Sequence, residues 1–249
     1  MIAPPDHAAV PPSGRFAPPH PTAAEEVRRL RRHEREFLTR ATIFMLDRGI
    51  RQFLDLGSGL PTEGGPHDTL TYLGVDGRVV HVDSDPEVVR AGRSLVRDTG
   101  RRGHFLCADA ADAHDVLAAC AVNGWLDLDE PVGVLAVGLL HLLPPRSDPW
   151  SVVPRYCAPL VGGSAAAITH LAPRRTGADA CEVARLVAGP GGSAHPRGHA
   201  DVVDMFAGLR LVKPGVVALP YRWAPGLFPS PAPPVAEPVT ALAGLGVKW

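Results

Sequence analysis

Gln52-Phe53-Leu54-Asp55-Leu56-Gly57-Ser58-Gly59 is the stretch on which the reading of this chain turns. Residues 52–56 are apolar apart from Gln52 and Asp55, as in a short strand buried inside a sheet. The strand runs into two glycines spaced by one residue. Glycine accepts positive φ and lets backbone come close to a ligand, so D-x-G-x-G suits the carboxyl end of a central strand. In doubly wound sheets ligands bind at that edge, near the point where the strand order reverses. A lone G-x-G is also compatible with an ordinary strand-to-helix turn.

Working outward, short apolar runs alternate with helical patterns. Strands are expected at 78–82, 104–107, 132–140 and 164–169. Helices are expected at 86–96, 112–121, 151–156, 178–187 and 200–206. Asp85 and Pro86 suit an N-cap and a first helical turn. Two more strand candidates, 209–213 and 216–219, flank Pro214-Gly215, a turn signal that predicts an antiparallel closing pair. Such alternation implies an α/β fold with a mostly parallel sheet covered by helices on both faces. Ahead of it, Thr22 and Glu25 form a capping box, and Val27, Leu30, Phe37, Leu38 and Ala41 recur at helical spacing. The arginine run at 28–35, interleaved with Glu26, Glu34 and Glu36, reads as a solvated, salt-bridged helix face.

The ends differ in composition. Residues 1–21 hold seven prolines, and six more lie between Pro225 and Pro238. The expected organisation is a Pro-rich tail at 1–21, one domain at 22–224 and a Pro-rich, irregular tail at 225–249, with Trp223 and Trp249 available to pin the latter.

Composition excludes several function classes. The 249 residues carry 25 Lys+Arg against 26 Asp+Glu, a net charge of −1, which argues against a nucleic-acid binder that works by phosphate neutralisation. The apolar run at 132–140 falls short of the ~18–20 residues of a spanning helix, and no signal peptide is visible. Cys107, Cys120, Cys157 and Cys181 show no C-x-x-C pairing, so neither a structural zinc site nor a disulfide framework is expected. A cytoplasmic protein with reduced thiols and no resident metal is the simplest reading.

Two further acids sharpen the site. Asp83 ends the second strand, with Ser84 behind it, and a carboxylate there can accept hydrogen bonds from both hydroxyls of a ribose. Asp109, followed by Ala110, ends the third strand and can receive an adenine amino group. Three acids at three successive strand ends, beside one glycine loop, are hard to ascribe to solvated loops. A nicotinamide dinucleotide wants G-x-G-x-x-G around its pyrophosphate, but Thr62 holds the third glycine position, and Asp55 and Glu63 repel phosphate. S-adenosylmethionine carries an ammonium and a sulfonium and no phosphate, so the acid-flanked loop favours it.

The run from Gln52 through Gly57-Ser58-Gly59-Leu60-Pro61-Thr62, followed by His67, resembles the signature of the bacterial S-adenosyl methyltransferase family once catalogued as a domain of unknown function. The resemblance continues through Arg78-Val79-Val80-His81-Val82-Asp83-Ser84-Asp85-Pro86. It returns at Leu140-His141, Gly163-Ser164, Thr169-His170 and Phe206-Ala207-Gly208-Leu209, and spans roughly 37–225. It departs at the N-terminus, where the Pro-rich residues 1–21 take the place of the family's aromatic and glycine-containing segment. It implies a Rossmann-like class I methyltransferase fold, a seven-stranded sheet of order 3-2-1-4-5-7-6 with strand 7 antiparallel. It also implies that Asp55, Gly57 and Gly59 face the methionine part of the cofactor, Asp83 the ribose, and Asp109 with the Ala110 backbone the adenine, with Ser58 and Ser84 among the cofactor-binding residues.

Methyl transfer from a sulfonium needs orientation and exclusion of water, and a base only where the acceptor must lose a proton. His141, at the end of the fourth strand, is the candidate catalytic base and His170 a weaker one; His67, after the glycine loop, is placed either at the cofactor entrance or on a helix surface. Trp150 and Tyr156 are candidate acceptor contacts, and Arg197 in the glycine-rich loop 189–198 is a candidate grip on an acidic acceptor. The expected activity is methylation of a small molecule, with specialised metabolism as the expected setting. A cofactor-binding regulator, a diverted elimination or cyclisation chemistry, and a nicotinamide oxidoreductase are the rivals.

Overall fold

The computed structural model describes residues 21–60, 64–99, 103–173, 179–219 and 241–249. Almost all of the expected N-terminal tail, and Trp223, lie outside them. Helix α1 (Ala23–Asp47) starts on the expected capping box: the Thr22 N–H donates to Glu25 Oε2 at 2.8 Å, and the Glu25 N–H donates to Thr22 Oγ1 at 3.3 Å. There follow β1 (Gln52–Leu56), α2 (Pro66–Leu73), β2 (Arg78–Asp83), α3 (Pro86–Thr99), β3 (His104–Cys107), α4 (Ala113–Val122), β4 (Val132–Ala136), α5 (Pro149–Cys157) and β5 (Ala165–Leu171). The chain then forms α6 (Ala180–Ala188), α7 (His199–Asp204), β6 (Arg210–Leu211), β7 (Val217–Leu219) and β8 (Ala241–Val247).

Strands β1 to β5 are parallel, in the order β3-β2-β1-β4-β5. Alternate side chains feed two cores. Leu54, Leu56, Val80, Val82, Val134 and Ile168 pack under α4, α5 and α7, while Phe53, Val79, Leu135, Ala165 and Ala167 pack under α1 and α6.

The far side of the sheet corrects three expectations. Residues 209–213 and 216–219 do not pair with each other. Their strand portions, β6 and β7, both run antiparallel to β8, which lies between them and β5. They are one strand interrupted at Pro214, which has no N–H to offer the ladder, and at Gly215 with φ +94°. With that interrupted strand counted once, the expected order and the antiparallel seventh strand hold. Second, the segment read as an irregular tail, 225–249, contributes β8. Its composition, Ala-Leu-Ala-Gly-Leu-Gly-Val, is poor in the β-branched and aromatic residues that signal strands. Third, the run 132–140 leaves the sheet after Ala136, because Gly138 adopts φ +74° and Leu140–Leu142 form a 3-10 turn. Helix α2 carries no expectation from the sequence.

The glycines of β8 answer to α7 and the segment after it. A Cβ on Gly244 would stand 3.0 Å from the Phe206 ring, and one on Gly246 would stand 2.9 Å from Leu209 Cβ. Lys248 Nζ then donates to the carbonyls of Cys157, Ala158 and Leu160 at 3.0, 2.7 and 2.6 Å, which fastens the end of the chain to the C-terminus of α5. The Arg210 guanidinium lies 3.2 Å from the centroid of the Trp249 ring, so Trp249 does help to hold this segment. Gly244→Val is expected to cost about 1–3 kcal/mol through overpacking against Phe206 and Val216. Urea titration would show it as a lower midpoint with an unchanged slope.

Candidate active site

The carboxyl ends of β1, β2 and β3 bring the expected residues to one edge. After β1 the backbone turns toward β2: the N–H groups of Gly57 and Ser58 both donate to the Val82 carbonyl, at 2.8 and 3.1 Å. Gly57 and Gly59 have φ of +65° and +64°, the left-handed region that glycine accepts without strain. A Cβ on Gly57 would stand 2.6 Å from Leu139 Cδ1, so this glycine is also required by the close approach of the segment after β4. On Gly59 a Cβ would meet none of the described residues within 4 Å, and its N–H donates to Asp83 Oδ2 at 2.8 Å. Asp83 Oδ1 accepts from the Asp85 N–H at 2.9 Å. Ser84, between them, is exposed. Asp85 in turn accepts the Glu87 N–H at 2.8 Å, which caps α3 as the sequence anticipates.

At β3 the Ala108 N–H donates to the Asp83 carbonyl at 3.1 Å and extends the edge. Asp109 is exposed and turns its own loop by accepting the Ala111 N–H at 2.8 Å. Ala110 is buried, and its carbonyl accepts the Tyr156 hydroxyl at 3.0 Å. Tyr156 is thus a core residue bracing the loop after β3, and burial pushes its hydroxyl pKa upward.

Asp55 is placed differently from the other acids. It shares the sheet face of Phe53 and is buried, with Oδ2 3.0 Å from His81 Nδ1. The His81 ring stacks on Phe105 at 4.5 Å and faces His67 at 6.2 Å. One oxygen of Asp55 is therefore spent on a neighbouring strand.

Beyond β4 the histidines and Arg197 form a buried knot. His141 is 1% exposed, and its Nδ1 accepts the Leu171 N–H at 3.2 Å. Burial first, then the charges of His170, Arg197 and Arg31, push its pKa down to about 3. His170 Nδ1 donates to the Leu171 carbonyl at 2.9 Å, and its Nε2 accepts from Arg197 Nη1 at 3.1 Å. Burial pushes the His170 pKa down to about 4. Arg197, 6% exposed, also donates to the carbonyls of Leu140 and Leu143 at 3.0 and 2.8 Å. Its guanidinium sits 5.0 Å from the Trp150 ring centroid. The expectation that Arg197 grips an acidic acceptor does not fit this geometry, because Nη1 and Nη2 are both engaged in fastening the loop 189–198 to the turn after β4.

One functional group escaped the sequence reading. Glu34, assigned there to a solvated helix face, is 9% exposed and sits on the buried stripe of α1 between Leu30 and Phe37. The Thr169 hydroxyl donates to Glu34 Oε1 at 2.9 Å and accepts the Gly138 N–H at 2.8 Å. Burial raises the Glu34 pKa to about 7, against the lowering influence of Thr169, Arg31 and Arg35. The signal was present: Val27, Leu30, Phe37, Leu38 and Ala41 leave one gap in the helical period, and Glu34 fills it.

The edge fits S-adenosylmethionine. Ser58 Oγ is buried with no hydrogen-bond partner among the described residues, a condition that costs ~1–3 kcal/mol unless a ligand relieves it. It lies in a glycine loop that offers no helix-borne phosphate cradle and is flanked by carboxylates. Sheet order, glycine loop and strand-end acids together define a class I methyltransferase architecture. A family model described as S-adenosyl methyltransferase matches residues 15–249, and the chain belongs to that family. The crystal structure of a Thermobifida fusca YX protein, provisionally assigned as a methyltransferase, shares 32% identity over 89% of this chain and 82% of its own, with a TM-score of 0.76. A DUF574 family protein from Streptomyces avermitilis MA-4680 shares 27% identity over 91% and 89%, with a TM-score of 0.73. An S-adenosylmethionine-dependent methyltransferase from Clostridium acetobutylicum ATCC 824, at 9% identity over 85% and 92% and a TM-score of 0.52, shares the fold. A search among curated proteins gave no match. The enzyme is an S-adenosylmethionine-dependent methyltransferase, and the nicotinamide alternative falls.

The buried histidines set a pH dependence of stability. Their folded pKa values of about 3 and 4 lie below the ordinary value of 6.5, so the unfolded chain binds more protons between those limits. Their contribution is complete above pH 6.5 and is lost as the pH falls toward 3, with a slope of up to about 1.4 kcal/mol per pH unit for each histidine. Glu34 acts with the opposite sign between pH 4.5 and 7. Unfolding titrations of His141→Asn should show a shallower acid loss than the parent between pH 6.5 and 4.

Proposed function

We propose that this edge binds S-adenosylmethionine with its adenosine end along β2 and β3 and its methionine end along the glycine loop, and that the acceptor is a small molecule. The observation that carries the reading is the shared bond between Gly59 and Asp83, which sets a carboxylate beside an open glycine backbone. A carboxylate offers roughly four acceptor sites. Asp83 spends one site on each of two N–H groups, which leaves sites on both oxygens for a vicinal diol. Asp109 is exposed on the next strand end, at the right place for an adenine amino group, and Ser84 lies between the two. Ser58 supplies a hydroxyl with no competing partner among the described residues, and Gly57 keeps the loop pressed on Leu139.

The cofactor supplies a methyl group already activated on a sulfonium. The protein must then hold it, orient the acceptor in line and exclude water. In this reading His141 is a positioning residue that holds the β5 backbone. A ring nitrogen with a pKa near 3 is a poor proton acceptor at neutral pH. Trp150, half-buried beside Arg197, borders the acceptor side. Net charge near zero and the carboxylates along the edge favour a small acceptor over nucleic acid. Free thiols, with Cys107 and Cys181 exposed, suit a cytoplasmic setting; among the described residues no helix is long and apolar enough to cross a membrane.

Calorimetric titration with S-adenosylmethionine and S-adenosylhomocysteine tests the site. Asp83→Ala is expected to weaken both at least tenfold, since it removes a charged acceptor of two hydroxyl hydrogen bonds worth about 1.5–3 kcal/mol each. Unchanged affinity in that variant would move the ribose elsewhere.

A further inference from the structure

Glu34 is a buried carboxyl group with no countercharge beside it among the described residues. Among the described residues no arginine closes an ion pair with it; Arg31 and Arg35, one helical turn before and one residue after, are exposed and act only through their fields. Taking a carboxylate out of water is costly unless it is paired. Among the described residues the direct relief is the chain of donors that runs from the Gly138 N–H to the Thr169 hydroxyl to Glu34 Oε1. Oε1 is thus engaged, and Oε2 is left for another donor.

The location says which donor. A Cβ built on Gly138 would lie 3.4 and 3.5 Å from the two Glu34 oxygens, so the carboxylate stands over the backbone just after β4. The next residue, Leu139, is the one pressed against Gly57. Glu34 therefore overlooks the join between the end of β4 and the glycine loop, on the side where the methionine end of the cofactor is placed above. That end carries an ammonium group. Asp55, the acid that the sequence offered for it, is a buried residue of β1 with one oxygen given to His81 on β2.

We propose that Glu34 receives the α-ammonium group of S-adenosylmethionine. The inference rests on the cofactor placement of the preceding subsection. Binding brings the missing countercharge to a group that is half-protonated near neutral pH when the site has no cation. Association thus expels a proton from Glu34 at acid pH, and affinity falls as the pH falls below 7. The other titratable groups on elements packed against α1 are His67, Asp68 and Tyr72 on α2, Cys181, Glu182 and Arg185 on α6, and His170 on β5; β4, β7 and β8 bring none. His170 is neutral throughout this range.

Calorimetry with three probes tests the assignment: S-adenosylmethionine, S-adenosylhomocysteine, and 5′-methylthioadenosine, which lacks the amino-acid part. Glu34→Gln keeps the shape and the bond from Thr169. It is expected to weaken the first two ligands ~30-fold or more, the cost of removing one partner of a buried charge pair, and to leave the third unchanged. In the parent protein S-adenosylhomocysteine affinity should fall about fivefold from pH 7 to 6 and a further tenfold by pH 5, while Glu34→Gln gives a flat profile over that range. Thr169→Val, which removes the donor to Oε1, should move the parent's pH step upward, and it carries the test if Glu34→Gln does not fold. Equal loss for all three probes would make Glu34 a structural tie, and a loss confined to S-adenosylmethionine would assign it to the sulfonium. Unchanged affinities would remove it from the cofactor site. Each of these three results overturns the proposal. Failure of the parent protein to bind any probe would instead overturn the cofactor placement on which it rests.

Discussion

The bond from the Gly59 N–H to the Asp83 carboxylate joins two strand ends into one surface. Adjacent parallel strands are held along their length by the ladder, but their loops leave the sheet separately. Asp83 closes that gap. It fixes the glycine loop from one oxygen, starts the turn into α3 from the other, and passes its main-chain carbonyl to the Ala108 N–H of the next loop. The loops after β1, β2 and β3 therefore share one residue, and what binds at the edge meets a surface already built. Preorganisation of this kind reduces the ordering cost that a ligand must meet.

Charge is distributed along that edge with a purpose that follows from burial. Asp83 and Asp109 keep access to solvent and remain ordinary acceptors. Asp55 is buried and shared with His81, so it braces β1 against β2. Glu34 is buried with a single hydroxyl donor, which leaves it the carboxyl group most changed by the arrival of a cation. On the other side of β4 the logic is reversed. Two neutral histidines and a buried arginine satisfy one another and the backbone, so that the loop 189–198 is fixed rather than available as a grip.

The sequence made the parallel half of the sheet legible because its strands obey simple rules. Residues 52–56 and 104–107 coincide with β1 and β3, and Asp85-Pro86 starts α3 where capping chemistry places it. The antiparallel half was harder for a physical reason. Strand β8 is narrowed to alanine and glycine by Phe206 and Leu209, contacts from residues far away in the chain, and no local pattern records them. The turn at Pro214-Gly215 was correctly read as a break but wrongly as a hairpin, since both of its arms find β8 before each other. At the site, the strand-end acids and glycines were legible from spacing. Glu34 was missed although it fills a gap in the apolar period of α1, because a charged residue in a run of charges reads as surface before the packing of α1 on the sheet is known.

The most direct test of this account is a crystal structure of the chain with S-adenosylhomocysteine. The account predicts the nucleoside across the carboxyl ends of β2 and β3, with both ribose hydroxyls on Asp83, and the amino-acid end along Gly57 and Gly59 with its nitrogen at Glu34. A nucleoside seated away from Asp83, with the Asp83 oxygens still bonded only to the Gly59 and Asp85 N–H groups, would contradict it.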